Sequence, residues 1–200
     1  SIVSGTLAPD SGTVCLDGQA LDTRSARSRK AHQRKLQMVF QDPRASFNPR
    51  MKVMDALREP LIHKLGRAKD EADAAIEQVM EQVNLPTGML RRGVHTISVG
   101  QAQRVAIARA LLAEPRLIVC DEITSALDVT VQASILELLA HLRREQELSM
   151  LFVSHDMAVV AQLSDRVAVM ESGRIIEQGP VDQVIGNPVQ EYTRLLIDLA

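Results

Sequence analysis

The strongest constraint on the fold is a set of three short apolar runs that are separated by segments with helical periodicity. The runs are LQMVF (36–40), LIVC (117–120) and MLFV (150–153), and helical patterns at 101–113 and 129–146 lie between them. A strand–helix–strand rhythm is typical of a parallel sheet whose strands are connected by crossover helices. We therefore predict an α/β fold built on a parallel sheet.

Other segments complete this expectation. TVCLDG (13–18) predicts a strand and turn, 166–170 and 174–177 predict two strands around Ser172–Gly173, and 53–64, 70–84 and 157–162 predict helices. The basic stretch 24–35 is interpreted as a solvated connector. The helix-rich middle, about residues 44–95, is expected to be a helical subdomain inserted into a single domain that spans residues 1–200.

Composition excludes several classes of protein. The formal net charge is -2, and the chain has three Phe, one Tyr and no Trp, so we expect no nucleic-acid partner. No run of 18 apolar residues is present, so no membrane-spanning helix is predicted. The two cysteines, Cys15 and Cys120, are far apart in sequence, which indicates neither a disulfide framework nor a metal site and fits a reducing compartment.

Polar side chains follow each of the three apolar runs. Gln41 follows the first run, Asp121 and Glu122 follow the second, and His155 follows the third. Ligands of parallel sheets collect at the carboxyl ends of the strands. There an acid can hold Mg²⁺, a second acid can polarise water, and a histidine can bind a phosphate. Each residue taken singly is more often a turn or a helix cap, but together they predict a site.

A second candidate site lies at SVGQAQR (98–104), where Ser98 and Gly100 stand at the start of a predicted helix. Exposed amide groups at such a helix end, with the helix dipole behind them, form an anion site. The alternative is an ordinary N-cap, and the residues alone leave both interpretations open.

These segments resemble the motifs of the ATP-binding cassette (ABC) ATPases, in order and over almost the whole chain. The matching segments are VFQDP (39–43, the Q-loop), ISVGQAQRVAIARAL (97–111, the signature), LIVCDE (117–122, Walker B), SALD (125–128, the D-loop) and FVSHD (152–156, the switch histidine). QDPRASFNPRM (41–51), SALDVTVQASIL (125–136) and NPVQEYTRLL (187–196) are similar to the oligopeptide, dipeptide and nickel importer branch. The resemblance implies a P-loop NTPase-like (RecA-like) core.

For the strand ends, the resemblance implies one role per residue. Gln41 senses the γ-phosphate and Mg²⁺, and Asp121 supports Mg²⁺. Glu122 is the general base that orients water, and His155 contacts the γ-phosphate.

The same resemblance places the remaining residues at a subunit interface. Ser98, Gly100 and Gln101 touch the nucleotide that the partner subunit holds, and Asp128 lies near the opposite site. The implied ligands are ATP and Mg²⁺. The implied partners are integral membrane permease subunits, a second ABC ATPase subunit in a homo- or heterodimer, and a periplasmic solute-binding protein. The implied location is the cytoplasmic side of a bacterial inner membrane, as a peripheral protein.

The chain departs from the family pattern in three places. It contains no Gly-x-x-x-x-Gly-Lys-Ser/Thr phosphate loop, which the resemblance places just upstream of Ser1, so the fold is expected to be incomplete at the N-terminus. Val99 replaces a signature glycine. Because valine resists a positive φ angle and takes up space where backbone approaches phosphate, we expect it to weaken the signature's hold on ATP. Ile123 replaces a proline.

These departures leave alternatives open. The chain is expected to be a poor ATPase in isolation, and a degenerate, non-hydrolytic partner in a heterodimer is a second interpretation. A nickel importer is an alternative to a peptide importer. A soluble superfamily member for DNA repair or translation is disfavoured by the importer-like segment 41–51 and by the lack of a long coiled coil or zinc-binding cysteines.

Overall fold

The computed structural model describes residues 2–146 and 148–199. In chain order the strands are β1 (Cys15–Leu16), β2 (Gln19–Ala20), β3 (Leu36–Val39), β4 (Leu117–Asp121), β5 (Ser149–Val153), β6 (Arg166–Glu171) and β7 (Arg174–Pro180). The helices are α1 (Ala26–Lys35), α2 (Val53–Glu59), α3 (Lys69–Gln82), α4 (Val99–Leu111), α5 (Val129–Gln146), α6 (Met157–Leu163), α7 (Val181–Gly186) and α8 (Glu191–Asp198). A π-helical turn at Pro60–Lys64 extends α2.

The predicted parallel sheet is confirmed. Strands β3, β4 and β5 lie side by side in that order, and both pairings are parallel. The register aligns Val39 with Cys120 and Cys120 with Phe152. Because the three strands are parallel and in register, their carboxyl ends meet at one edge of the sheet.

One hydrophobic core joins this sheet to the helices around it. Ile118 and Cys120 of β4 belong to the same buried cluster as residues of α2, α3, α4 and α5. Burial raises the pKa of the Cys120 thiol to about 12, because the apolar surroundings disfavour the thiolate. Helices α2 and α3 fall within residues 44–95, and the assignment of that segment as an inserted subdomain stays a prediction.

The interpretation of residues 24–35 as a connector is wrong, since Ala26–Lys35 forms helix α1. The Ser25 side chain caps the helix by accepting a hydrogen bond from the amide of Ser28. His32 is buried, and its ring Nε2 lies 2.8 Å from the carbonyl oxygen of Val3. The helix therefore depends on a cap and one polar anchor, and it lacks the apolar stripe by which helices are usually found in a sequence.

The predicted hairpin of β6 and β7 is confirmed, with antiparallel pairing and positive φ angles at Ser172 and Gly173 in the turn. The two helices that follow, α7 and α8, were not predicted. Helix α8 is held by Glu177 of β7, whose carboxylate accepts hydrogen bonds from the amides of Val189 (2.9 Å) and Gln190 (3.1 Å) at the start of the helix.

The attachment of α8 is expected to be sensitive to acid. The Thr193 hydroxyl, these two amides and the nearby Arg194 guanidinium lower the pKa of Glu177 below its ordinary value. A carboxylate whose pKa is lowered by folding stabilises the fold at pH values above its ordinary pKa of about 4.3. This contribution is lost as the pH falls through the lower pKa of the folded state. We therefore expect the attachment of α8 to weaken as the pH falls through the folded-state pKa of Glu177.

Tyr192 reports this event without labelling, because it lies in α8 and the chain has one Tyr and no Trp. Tyrosine emission should change as the pH is lowered before the bulk helical signal is lost. In Glu177→Gln the early change should disappear, because the glutamine carries no charge to titrate. An unaltered early transition in this variant would contradict the assignment.

Candidate functional site

The structure brings the four strand-end residues to the same edge of the sheet. Gln41 follows β3, Asp121 ends β4, Glu122 follows it, and His155 follows β5. Asp121 is half-buried and lies opposite Val153 in the register. The prediction that these side chains share one edge is thus confirmed, whereas their chemical roles stay predictions.

Hydrogen bonds connect the first and second strand ends. The Gln41 side-chain amide donates from Nε2 to Oγ of Ser125 over 2.9 Å. The Ser125 hydroxyl donates in turn to the carbonyl oxygen of Glu122, also over 2.9 Å. Ser125 was considered only as part of the SALD segment, yet it is the residue that holds Gln41 next to the acids.

The second and third strand ends meet at Glu122 and His155. Nδ1 of His155 lies 3.5 Å from Oε1 of Glu122, and both side chains are accessible, with exposed fractions of 70% and 36%. Glu122 adopts a left-handed backbone conformation, with φ of 49°, and its amide donates to the carbonyl oxygen of Val153 over 2.9 Å. This uncommon conformation ends β4 directly after Asp121, and backbone strain of this kind is often found at functional sites.

The donor set is compatible with Mg²⁺. Asp121 and Gln41 offer the carboxylate and amide oxygens that a hard cation prefers. In the described residues, no group of three or more His, Cys, Asp and Glu side chains is arranged to enclose a metal. An Mg²⁺ ion bound through one carboxylate together with water and phosphate oxygens needs no such enclosure.

The signature residues form a different cluster. Ser98 Oγ accepts a hydrogen bond from the Gln101 amide (3.2 Å), and Oε1 of Gln101 accepts one from the Ser98 amide (3.1 Å). This reciprocal capping box is the ordinary N-cap that was left open as an alternative. A phosphate contact by Ser98 stays a prediction.

Gly100 and Asp128 meet where the first turn of α4 packs against the first turn of α5. A Cβ placed on Gly100 would lie 2.5 Å from Cγ1 of Val131, so this position has no room for a side chain. Oδ1 of Asp128 accepts a hydrogen bond from the Val131 amide over 3.0 Å and caps α5. The signature and the D-loop therefore form one surface.

Val99 occupies the first position of α4 and has no positive φ angle. Its backbone therefore adopts a conformation that any residue tolerates, and a strain argument against valine does not apply. What remains of the expectation is steric, since the two methyl groups occupy space at the start of the helix.

One contact joins the two clusters. Nε2 of Gln132, in the first turns of α5, lies 3.4 Å from Oδ2 of Asp156. The other carboxylate oxygen of Asp156 caps α6, accepting hydrogen bonds from Ala158 (2.9 Å) and Val159 (3.2 Å). Asp156 is the neighbour of His155, so a continuous set of contacts runs from the D-loop to the Glu122–His155 pair. Gln132 lies within the importer-like segment 125–136, but sequence reasoning gave it no role.

A groove of about 680 Å³ lies between the segment after β3 and helix α2. The Arg109 guanidinium lies 4.4 Å from the centre of the Phe47 ring and donates to the carbonyl oxygen of Ser46 over 2.8 Å. Burial lowers the pKa of Arg109, which a nearby acid, Glu59, partly offsets. The groove thus combines apolar side chains with charged ones, and the Arg109 guanidinium is held against the Phe47 ring in its wall.

Comparison with known protein families decides the identity of this arrangement. The model of the ABC transporter family matches residues 1–125. The chain belongs to the ABC transporter family. Its fold is accordingly the P-loop NTPase-like α/β fold of ABC ATPases, with the parallel sheet described above.

Several curated relatives of this ABC protein carry names that refer to peptide import. A putative peptide import ATP-binding protein of Brucella abortus is 44% identical over 97% of this chain and 58% of its own length. The oligopeptide transport ATP-binding protein OppF of Streptococcus mutans is 42% identical over 94% of the chain and 61% of its own length. The chain thus spans about three fifths of the length of these relatives.

A solved ABC structure has the same fold. The protein cbiO1 from Clostridium perfringens, described as part of the ABC transporter complex cbiONQ, superposes with a TM-score of 0.83 and 27% identity. The match covers 93% of this ABC chain and 72% of cbiO1. Within the described part of the chain, no helix combines the length and the apolar character needed to cross a bilayer.

Proposed function

We propose that this chain is the ATP-hydrolysing, energy-coupling part of a bacterial ABC importer that transports peptides. The observation that supports this most directly is the row of contacts from Gln41 through Ser125 and Glu122 to His155 at one edge of the parallel sheet. Membership of the ABC transporter family and the peptide-import names of several relatives agree with it.

The proposed chemistry is in-line transfer of the γ-phosphoryl group of ATP to water. Asp121 and the oxygen of Gln41 would hold Mg²⁺, which neutralises charge on the phosphate oxygens when bound. Glu122 accepts a hydrogen bond from the attacking water and orients it. His155 stands beside Glu122 and donates to the phosphate, so that both sides of the reacting group are positioned.

Ser98, Gly100, Gln101 and Asp128 are proposed to act on a second ATPase subunit. They form one surface at the start of α4 and α5, apart from the Glu122–His155 pair. A surface of this kind can complete the nucleotide site of a partner in a homo- or heterodimer. The contact from Gln132 to Asp156 would carry the state of that interface to His155.

The remaining partners are proposed on the same basis. The groove beside Phe47 and Arg109, lined mainly by residues of the segment 44–95, is suited to docking on integral membrane permease subunits, because it offers apolar side chains together with charged groups that can select a partner. The assembly would lie at the cytoplasmic side of the inner membrane and receive its substrate from a periplasmic solute-binding protein. Nickel stays an alternative substrate to peptides.

A second candidate function is that of a non-hydrolytic partner in a heterodimer. It is favoured by Val99 in the signature, where the family pattern has a glycine. In this arrangement the chain contributes its signature surface to an intact ATPase and hydrolyses no ATP itself.

The decisive experiment measures ATP hydrolysis by the purified chain, by the second ATPase subunit of the same system, and by their mixture. If the chain hydrolyses ATP, activity in the mixture will fall when Glu122 is changed. If it is a non-hydrolytic partner, the mixture will exceed the second subunit alone, yet changing Glu122 will have no effect. No gain on mixing and no activity alone would refute both candidate functions.

The signature residue Val99 gives a separate expectation. Val99→Gly should raise the turnover of the mixture, because it clears space at the start of α4 where the partner's nucleotide is proposed to bind. Steady-state ATP hydrolysis checks this, with Val189→Gly as a control at an exposed valine outside both site clusters. Unchanged turnover in Val99→Gly would count against a steric role for this side chain.

A further inference from the structure

We propose that one face of helix α1, formed by Arg27, Lys30 and Arg34 and termed here the α1 basic face, binds the anionic surface of a phospholipid bilayer. This inference rests on the proposed function, because it adds a direct lipid contact to a subunit that docks on membrane proteins. Four observations support the proposal: the charge of α1, the contacts that anchor α1, the cavity beside it, and its position next to the proposed permease-docking groove.

Positive charge is concentrated in the segment that contains α1. Residues 24–35 contain six Arg and Lys and no Asp or Glu, although the chain has a formal net charge of -2. Arg27, Lys30 and Arg34 are spaced by three and four residues, which places them on one side of the helix. All three are exposed, and none forms an ion pair with another described residue.

The anchoring of α1 keeps this face turned outward. His32 lies on the opposite side of the helix, is 7% exposed, and contacts the carbonyl oxygen of Val3 at 2.8 Å. The Ser25 cap fixes the first turn. Because the helix is fixed through His32, the three cations cannot turn inward to find partners in the core.

A cavity of about 430 Å³ lies beside the α1 basic face. Lys30 and Arg34 line it together with Met38, Phe40 and Pro60, and Phe40 is 44% exposed. Cations beside an exposed aromatic ring are typical of protein surfaces that lie at the boundary between lipid headgroups and acyl chains.

The same cavity reaches the proposed permease-docking groove, since Glu59 and Arg109 line both. The Glu59 carboxylate that lines this cavity also interacts electrostatically with the buried Arg109 guanidinium. A subunit that docks through the groove would therefore bring its neighbouring α1 basic face close to the same membrane.

A lipid surface fits these observations better than a nucleic acid does. Binding of single strands needs successive aromatic platforms, and here Phe40 is the one exposed aromatic ring recorded in the described part of the chain. A bilayer needs a small cationic face and one interfacial ring, which is what this surface offers.

The experiment measures co-sedimentation of the full chain with vesicles, in the absence of any permease. We expect binding to vesicles of phosphatidylglycerol and phosphatidylcholine in equal parts, little binding to phosphatidylcholine alone, and weaker binding as salt is raised. The double variant Lys30→Glu/Arg34→Glu should lower partitioning about tenfold or more. The control Arg166→Glu/Arg174→Glu makes the same change in net charge at the exposed hairpin of β6 and β7 and should bind as the unchanged chain does.

Three results would overturn the proposal. They are equal binding to phosphatidylcholine vesicles, an equal loss in both double variants, and binding to an RNA oligonucleotide that competes with and exceeds binding to vesicles. Circular dichroism of each variant checks that the fold is retained. Because no permease is present, failure here would leave the proposed importer function to be judged by ATP hydrolysis and permease binding.

Discussion

Replacing Glu122 by Gln is expected to lower ATP turnover of the proposed two-subunit ATPase by about a hundredfold or more, the size of effect typical for loss of a general base. The amide keeps the shape of the side chain but cannot accept a proton from water. Nucleotide binding should be retained, since the binding groups around Glu122 are unchanged. The measurement is steady-state hydrolysis together with nucleotide affinity, because a catalytic role predicts loss of the first alone.

Glu137→Gln provides the matched control. Glu137 is exposed on α5 and lies outside both site clusters, and the substitution makes the same change in charge and shape. It should leave turnover unchanged. Full activity in Glu122→Gln would contradict the proposed catalytic role, and a loss of nucleotide binding would instead indicate a disturbed fold.

Gly100→Ala is expected to destabilise the fold by about 1–2 kcal/mol, even though alanine is normally the better helix former. The reason is the distance of 2.5 Å between the added Cβ and Cγ1 of Val131, which forces α4 and α5 apart. Chemical denaturation measures the free energy of unfolding.

The sign of this effect should depend on Val131. In a Val131→Ala background the clashing methyl groups are gone, so Gly100→Ala should become neutral or stabilising by up to about 1 kcal/mol through helix propensity. The same destabilisation in both backgrounds would show that the cost does not arise from Val131. This double-mutant cycle needs no activity and is independent of the proposed function.

The sheet could be predicted because each of its strands is an apolar run that is followed by polar residues. The run at 36–40 is observed as Leu36–Val39, the run at 117–120 as Leu117–Asp121, and the run at 150–153 as Ser149–Val153. Once the strands are parallel, their topology places Gln41, Glu122 and His155 together without further information.

Helices α1 and α8 were not predicted from the sequence, for different reasons. Helix α1 is rich in charge and is stabilised by the Ser25 cap and the contact of His32 with Val3, which is 29 residues away. Helix α8 is fixed at its start by Glu177, 12 residues before Val189, and its apolar residues Tyr192, Leu195 and Leu196 recur at helical spacing. The contact of His32 with Val3 leaves no periodic trace in the sequence, whereas α8 could have been predicted from the spacing of its apolar residues.

The residues of the candidate site could be predicted from the sequence, but the contacts that hold them in place could not. Residue types and strand ends identify the four strand-end residues, but Ser125 lies 84 residues from the Gln41 amide that it accepts from. The left-handed backbone of Glu122 is likewise set by its hydrogen bond to Val153. These are tertiary contacts, and no local pattern encodes them.

The direction of the hydrogen bonds between Glu122, Ser125 and Gln41 has a consequence for how a cation would be received. The Ser125 proton is committed to the Glu122 carbonyl, so its oxygen can only accept, and it must be met by the nitrogen of the Gln41 amide. The orientation of the Gln41 amide is thereby fixed, and its oxygen remains available to bind a cation. The backbone carbonyl of Glu122 thus determines which end of the Gln41 side-chain amide faces the site before any ligand binds.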